Sequence, residues 1–258
     1  MTAALRRESP FGAELRYWRE RRGLSQLRLA VNAGMSPRYV SFVETGRSRP
    51  GRSVVDRLAE ALDVPLRDRN RLLVAAGIAP SYPQGSLDDD ALSSFRRVVD
   101  SMLEKHEPYP AFAFDHEYRL VRANAAAHRI LPGLEGGNWI DLSFSPASPV
   151  RAATENFAEV AWAALDMMRR DANGSPDALR DSVGRLERHL VGVDRPVDGN
   201  LDERVICPRF RFGDRVVTTI TTIARFGSAR DVTLDELRVE LVFPADEESA
   251  QWFAEAAG

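Results

Sequence analysis

Residues 24–50 carry the capping signals of two short helices separated by a single glycine, and this segment constrains the fold more than any other. Ser25 and Ser36 can each accept a hydrogen bond from the free N–H groups of a first helical turn, and Pro37 suits the first helical position. Gly34 stands where the first helix must end in a left-handed conformation. The pattern predicts two helices joined by a tight turn, a unit found in DNA-binding proteins and in ordinary helical domains alike.

The second helix of this pair has one apolar face, and the rest of its surface is mixed in polarity. Val40 and Val43 fall on one side of the helix, whereas Arg38 and Phe42 point away from that side. A basic loop, 47–50, follows the helix. A compact helix pair whose second helix is exposed fits the major groove of DNA. The segment therefore favours a DNA-binding unit.

Charge is distributed unevenly along the chain, whose formal net charge is -3. Residues 1–80 contain fifteen Arg and eight Asp or Glu, a net charge of +7, so the remainder carries -3 minus +7, or -10. Lys105 is the only Lys, which indicates a compositional preference for Arg but does not explain why the excess lies at the front. A basic first segment before an acidic remainder is expected when one domain contacts phosphate and the other does not.

Residues 11–63 resemble the helix-turn-helix domain of the XRE family, which includes the lambda and 434 repressors. The match runs without a gap through the two helices and includes small, apolar, turn and polar positions: Gln26, Leu29, Ala30, Gly34, Val40, Val43, Glu44 and Gly46. The resemblance implies five short helices, which we place at about 11–22, 25–33, 36–44, 53–62 and 66–76.

The same resemblance implies which residues contact DNA. Gln26 matches a residue that contacts a phosphate, and Pro37, Arg38 and Phe42 match residues that face base edges. Arg38 can be bidentate to guanine, and Phe42 can meet a thymine methyl group, whereas Pro37 has no side-chain donor. Arg19 and Glu44 match a structural pair that ties the first helix to the recognition helix.

Arginines in and after the basic loop are better suited to phosphate, because a guanidinium beside a helix end positions a protein without reading sequence. Together with residues of the recognition helix they complete the candidate set for DNA binding: Gln26, Ser36, Pro37, Arg38, Tyr39, Ser41, Phe42, Arg47, Arg49 and Arg52.

The chain exceeds one helix-turn-helix domain by enough to hold a second core. A stretch rich in Pro, Gly and Ser indicates the boundary, so we expect a DNA-binding domain over 1–80, a linker over 81–90 and a second domain over 91–258. Three consecutive aspartates, 88–90, favour the start of a helix over a metal site, because negative charge stabilises a helix N-terminus.

The second domain has the pattern of a sheet interrupted by helices. Ala111–Phe114 and Arg119–Ala123 predict a hairpin. Helices are expected at about 125–131, 154–171 and 176–190, and strands at Glu203–Phe212, Arg215–Phe226 and Leu234–Phe243. This order is that of a PAS-like domain, although a plain α+β domain with a filled core has the same order. The predicted fold class is α+β in two domains: an all-α, five-helix lambda-repressor-like head and a PAS-like antiparallel sheet covered by helices.

Several longer motifs together resemble the MmyB-like subgroup of XRE regulators: SPRYVSFVETGRSRP, LAEALDVPLRDRNRLLVAAGIAP, HEPYPAFAFD, LVRANAAAH, VTTITTIARFG and DVTLDELRVELVFPAD. They occur in family order and span nearly the whole chain. The resemblance implies a bacterial transcription regulator whose PAS-like domain binds a fatty-acid-like ligand.

A site for such a ligand needs an apolar slot and a few polar groups. One helix, 154–171, carries apolar residues at spacings of three and four, a pattern more common in a filled core than in a pocket. For the ligand's carboxylate the candidates are Arg122, Asn124, His128 and Arg151, each of which also suits an ordinary capping or surface role. The bulk of the slot is assigned to Phe112, Phe114, Trp139, Phe144, Phe157, Ala161, Trp162, Leu165 and Met168.

Enzymatic and metal-binding functions find little support in the sequence. It contains no phosphate-binding glycine loop, nucleophile elbow or HExxH motif, and its four His residues lack metal-ligand spacing. A lone Cys207 fits a reducing compartment, although a redox-sensing thiol is an alternative to a core residue. No apolar run reaches membrane-spanning length, so we expect a cytoplasmic protein that is not an enzyme and requires no cofactor.

The expected partners are double-stranded DNA with a palindromic operator, a small hydrophobic ligand and a second copy of the chain, because repressor-like heads bind paired half-sites. Two alternatives remain. PAS-like domains can hold haem or flavin, with His128 or His116 as an iron ligand, and a helix-turn-helix head can serve as an antitoxin or a protein-interaction module.

Overall fold

The computed structural model describes residues 9–131, 133, 134, 136–172, 176–196 and 205–257. These residues form two compact units. The first comprises residues up to 84 together with 230–232, and the second comprises 85–229 and the residues from 233 onward.

The first unit is a five-helix domain, as predicted. Its helices are α1 (Pro10–Arg21), α2 (Gln26–Asn32), α3 (Pro37–Glu44), α4 (Arg52–Ala61) and α5 (Leu66–Ala75). Leu15 and Trp18 of α1, Leu29 of α2, Val40 of α3 and Leu58 of α4 are almost completely buried in one common core. This core fixes the angle at which α3 is held.

Close contact between α1 and α3 depends on one glycine. A Cβ atom added to Gly12 would lie 2.2 Å from the carbonyl oxygen of Glu44, at the end of α3. Only a residue without a side chain allows the two backbones to approach in this way. The start of α1 therefore fixes the position of the end of α3.

The second unit is built from one antiparallel sheet and flanking helices, which confirms the predicted class. In chain order its elements are α6 (Ser93–Lys105), β1 (Ala111–Phe114), β2 (Leu120–Ala123), α7 (Ala125–Ile130), α8 (Trp139–Phe144), α9 (Pro149–Ala153), α10 (Phe157–Ala172), α11 (Pro176–His189), β3 (Arg209–Phe212), β4 (Arg215–Ala224), α12 (Val232–Glu236, which begins at the edge of the first unit), β5 (Arg238–Pro244) and α13 (Glu247–Ala257). The strand order is β2-β1-β5-β4-β3.

The sheet has two differently covered faces. Residues directly opposite each other in antiparallel strands share a face, and Phe112 pairs with Glu240 while Glu240 pairs with Ile223. We call this side, with Phe112, Glu240 and Ile223, the inner face. The outer face carries Ala113 and Val239, which pack against α6. A ligand site under the helices that follow β2 must therefore use inner-face residues.

The predicted strands agree in position with β1 to β5 but differ at their ends. Residues 203 and 204 of the predicted first strand of the C-terminal group lie outside the described residues, and the observed strand starts at Arg209. The prediction that the last strand begins at Leu234 is wrong, because 232–236 form a helical turn and the strand begins at Arg238. Val232 and Leu234 of this helical turn are both buried. Two apolar residues at a spacing of two are also expected in a strand, so the sequence pattern did not distinguish the two structures.

Candidate DNA-binding surface and ligand site

The recognition helix α3 is presented by its own capping residues. Ser36 Oγ accepts a hydrogen bond from the Tyr39 N–H at 3.2 Å, and Pro37 occupies the first helical turn. Gly34, in the preceding turn, has a φ of 60°, the left-handed conformation that the sequence predicted. The α2–α3 pair is thus set by local signals that are all present in the sequence.

A single buried carboxylate joins three helices. Glu44, at the end of α3, is 0% exposed and accepts a hydrogen bond from Arg19 Nε of α1 at 2.6 Å. Gln26 Nε2 of α2 donates to its other oxygen at 2.7 Å. The bond to Glu44 raises the pKa of Arg19. These bonds confirm the structural role predicted for the Arg19–Glu44 pair. Gln26 was predicted to contact a phosphate, and its side-chain amide donates one hydrogen bond to Glu44 inside the domain.

The exposed part of α3 centres on one aromatic ring between two arginines. The guanidinium carbon of Arg38 lies 5.2 Å from the centroid of the Phe42 ring, and that of Arg47 lies 5.7 Å from it. Such contacts orient a guanidinium without neutralising its charge. Within the part of the chain that the structure describes, no carboxylate forms an ion pair with either arginine. Both cations are therefore available to an external anion or base.

The remaining predicted DNA contacts are placed unequally. Arg49 is exposed, whereas Arg52 lies 3.9 Å from the Asp56 carboxylate and also donates to Ser81. Tyr39 is half-buried against the domain core, and Ser41 is half-buried. Arg38, Arg47 and Arg49 are exposed, and Phe42 is half-buried between the first two; we call these four residues the recognition surface.

In the second unit, three aromatic rings predicted for the ligand site form one cluster. Phe112 and Phe114 stack with centroids 5.8 Å apart, and Trp139 lies 5.0 and 5.3 Å from them. Both phenylalanines are buried on the inner face. They belong to a buried core with Ala127 and Leu134, against which Trp139 packs, and we call the three rings the aromatic wall.

The predicted helical stripe lies in a closed helix–helix core. Ala161, Leu165 and Met168 of α10 are nearly fully buried and pack against residues of α11 and α8, including Leu186 and Phe144. Phe157 and Trp162 are half-buried at the margin of this core, and Trp162 Nε1 donates to the Val193 carbonyl. This stripe therefore stabilises α10 on its neighbouring helices, the more common role of such a pattern.

Two of the four polar candidates for the ligand lie away from the inner face. Arg122 pairs opposite Ala113, so it points to the outer face, where it forms ion pairs with Asp88 and Asp100. His128 is exposed on α7. Neither side chain is positioned to meet a molecule that touches the aromatic wall.

The other two polar candidates are occupied by backbone groups. Asn124 Oδ1 accepts from the N–H groups of Ala111 and Ala127, and its Nδ2 donates to two carbonyl oxygens, those of Leu103 and Tyr109. Arg151 donates to two carbonyl oxygens, those of Phe144 and His189, and its guanidinium carbon lies 4.3 Å from the centroid of the Phe157 ring. Both residues hold loops and helix ends in place.

Two charged residues of β5, Arg238 and Glu240, lie on the inner face although the sequence did not predict them as site residues. Arg238 on β5 is 6% exposed, donates to the Tyr118 hydroxyl at 2.6 Å and lies 3.0 Å from the Asp171 carboxylate of α10. Burial raises the pKa of Tyr118 to about 12. Glu240, two residues along the strand, is on the same face. The sequence Arg-Val-Glu-Leu-Val could have indicated this pair, because residues two apart in a strand lie on the same face of the sheet.

The described residues contain neither a metal-binding cluster nor a membrane-spanning helix. None of their His, Cys, Asp and Glu side chains form a group of three or more able to hold a metal ion. Within the same residues, every helix is too short or too polar to cross a bilayer.

Comparisons with known proteins assign a family to each part of the chain. Residues 95–256 match the family described as the MmyB-like transcription regulator ligand binding domain, and residues 10–72 match a helix-turn-helix domain family. Over 77 residues the chain is 38% identical to the uncharacterized HTH-type transcriptional regulator RghRB of Bacillus subtilis (strain 168). That alignment covers 30% of this chain and 53% of RghRB, so the chain spans about half the length of this relative.

Among solved structures, the restriction-modification controller protein C.AhdI from Aeromonas hydrophila is similar to this chain at 38% identity, with a TM-score of 0.23. The similarity covers 24% of this chain and 92% of the controller protein.

Proposed function

Since the chain belongs to the MmyB-like transcription regulators and has a DNA-binding helix-turn-helix domain, we propose that a small hydrophobic effector controls its binding to an operator. The proposed effector is a fatty acid or a related lipid, and no cofactor is required. The operator is palindromic, and a homodimer binds it.

The observation that carries the DNA-binding part of the proposal is the recognition surface itself. Arg38 of α3 and Arg47 of the following loop flank the Phe42 ring and form no ion pair with any described carboxylate. Arg38 can donate two parallel hydrogen bonds to a guanine, and Phe42 offers an apolar contact to a thymine methyl group. Arg47 and Arg49 suit phosphates on either side, because contacts to the backbone fix register without reading bases.

The dimeric part of the proposal follows from DNA geometry. One recognition helix reads only a few base pairs, and repressor-like heads bind half-sites that are about one helical turn apart. Two heads must then be held at a matching distance. An effector that binds one arrangement of the dimer more tightly than another shifts the dimer toward that arrangement. The resulting change in operator affinity is limited by how differently the effector binds the two arrangements.

The lipid part of the proposal is supported by the inner face of the second unit. Phe112, Phe114 and Trp139 form an aromatic wall, and the neighbouring helix α10 is lined by alanine, valine and methionine. Apolar walls with a few charged groups at one end suit a molecule that has a long chain and a single polar group.

Two measurements test the proposal. Mass spectrometry of the denatured, purified protein identifies any lipid that co-purifies with it. Footprinting of full-length protein on DNA upstream of its own gene, with the extracted lipid present and then absent, should show a symmetric protected site whose occupancy changes. Protection of random and upstream DNA at equal protein concentration would contradict operator recognition, and occupancy unaffected by lipid would contradict the effector.

A further inference from the structure

Helix α10 is tied to the sheet near both of its ends. Just before the helix, Asn156 Oδ1 accepts from the Arg209 N–H at 3.0 Å, and its Nδ2 donates to the Cys207 carbonyl at 3.0 Å. Near the other end, Asp171 lies 3.0 Å from Arg238 and 2.9 Å from Arg225. These contacts attach the start of α10 beside β3 and its end beside the C-terminal end of β4 and the N-terminal end of β5, which are adjacent in the sheet.

The part of α10 that faces the sheet is apolar and incompletely covered. Val160, Ala164 and Met167 recur at spacings of four and three and continue to Asp171, so all four lie on one helical face. Because Asp171 contacts the sheet, the other three face in the same direction. All three are half-buried, whereas Ala161, Leu165 and Met168 are almost completely buried. Val160 and Ala164 also pack against the margin of the core that those residues form with α11.

The sheet beneath them is open in the same region. On the inner face of β4, Thr219 is 2% exposed, but Thr221 is exposed and Ile223 is 37% exposed. Thr221 and Ile223 are therefore not covered by α10, although the helix is attached to the sheet near both of its ends. We call this accessible region of the inner face, beside α10, the cleft.

Glu240 lies on the floor of this cleft. It is opposite Ile223 on β4 and Phe112 on β1, and its side chain is 8% exposed. Among the residues that the structure describes, none forms a hydrogen bond or an ion pair with this carboxyl group. Its nearest cation, Arg238, is already bound to Tyr118 and Asp171. The carboxyl group keeps only a small contact with solvent, so most of its hydration is lost without replacement by a protein donor and it can accept a hydrogen bond from an external one.

We propose that Glu240 is the polar anchor of the cleft and that it accepts a hydrogen bond from the donor group of the ligand, an ammonium, amide or hydroxyl group at the end of an apolar chain. This inference rests on the proposed lipid effector and, within that class, favours lipids with a donor head group over fatty acids. When Glu240 is ionised, a ligand carboxylate would place a second acceptor beside it, and the nearby cation Arg238 is already held by Asp171. A donor group supplies the missing partner directly.

The charge state of Glu240 gives this proposal a pH dependence. Burial raises the pKa of Glu240 from its ordinary value of 4.5 to about 7, which the charge of Arg238 partly counteracts. Among the residues that the structure describes, the other charged or titratable groups near Glu240 are Asp171 of α10, Arg225 after β4, and Tyr118 between β1 and β2. As pH rises through about 7, Glu240 becomes ionised, so affinity for an ammonium group should rise and affinity for a carboxylate should fall.

The test compares decylamine with decanoate on the full-length protein by isothermal titration calorimetry, below the concentrations at which either forms micelles. At pH 8, decylamine should bind at least about tenfold more tightly, the ratio expected for one hydrogen bond to a charged group. Glu240→Gln keeps the side-chain volume and removes the charge, and it should reduce this ratio about tenfold. Glu104→Gln is the matched control, because Glu104 is an exposed carboxyl group on α6, which covers the outer face.

The outcomes separate this inference from the function on which it rests. Tighter binding of decanoate by the unmodified protein would overturn the role of Glu240 and leave the lipid effector in place, and this comparison needs no variant. An unchanged ratio in Glu240→Gln would also overturn it. Failure of both probes to bind would overturn the inference and the lipid effector together, while operator footprinting tests DNA recognition separately.

Discussion

Replacing Glu240 with glutamine should stabilise the ligand-free second unit at neutral and alkaline pH. The pKa of Glu240 rises from 4.5 to about 7 on folding, a difference of about 2.5 units. At about 1.36 kcal/mol per unit, the ionised side chain costs the folded state about 3 kcal/mol. The cost is absent below the unfolded pKa, where the group is neutral in both states. It is complete above the folded pKa, so stability falls as pH rises between these values.

The assay is a pair of thermal or urea unfolding series on the full-length protein and on Glu240→Gln, at about pH 5 and at about pH 8. The advantage of the variant should grow by about 2.5 kcal/mol between the two, because most of the ionisation cost develops in this interval. Glu104→Gln, which removes an exposed carboxyl group, should show no comparable trend. The two units can unfold separately, so the transition of the second unit must be followed on its own.

An advantage of Glu240→Gln that is the same at both pH values would refute the reasoning. It would mean that the carboxyl group finds a partner in the ligand-free protein, or that solvent reaches it freely. Either result would also remove the physical basis for a donor-headed ligand. The stability measurement therefore checks the premise of the binding experiment without any ligand.

Further predictions concern the recognition surface and the packing beneath it. Arg38→Ala should weaken binding to the operator by about 1–3 kcal/mol with little effect on random DNA, and Arg49→Ala should weaken both and reduce the salt dependence of binding, as measured by fluorescence anisotropy. Equal losses on both DNAs for Arg38→Ala would contradict base reading. Gly12→Ala should lower the free energy of unfolding of the first unit by about 1–3 kcal/mol in urea titrations, because its Cβ would lie 2.2 Å from the Glu44 carbonyl oxygen. Asn124→Ala should cost the second unit on the order of 3 kcal/mol, because it leaves buried backbone groups unpaired, and wild-type stability would show that water replaces them.

The helix-turn-helix domain was predictable because its signals are local. Ser36, Pro37 and Gly34 each act within one or two turns of the backbone, and the structure places all three as expected. The Arg19–Glu44 pair spans more of the chain and was recognised only through resemblance to related repressors. Its geometry confirms the assignment.

The candidate ligand site was less predictable, because the polar groups proposed for it come from elements that are distant in the sequence. The periodicity of α10 shows two adjacent apolar stripes, and only the contact of Asp171 with Arg238 identifies which one faces the sheet. Asn124 and Arg151 have the chemistry of ligand contacts but bind nearby carbonyl groups instead. The sequence cannot indicate these partners, because turns and helix ends place them.

The buried carboxylate of Glu44 has a consequence for how regulation can operate. Because one side chain binds Arg19 of α1 and Gln26 of α2, the recognition helix cannot tilt without breaking bonds inside the domain. In the proposed dimer, each head would then read its half-site with a base preference that the effector does not change. The proposed effector would act on the cooperativity between the two half-sites, so titrations on isolated half-sites should be insensitive to it and only the intact palindrome should respond.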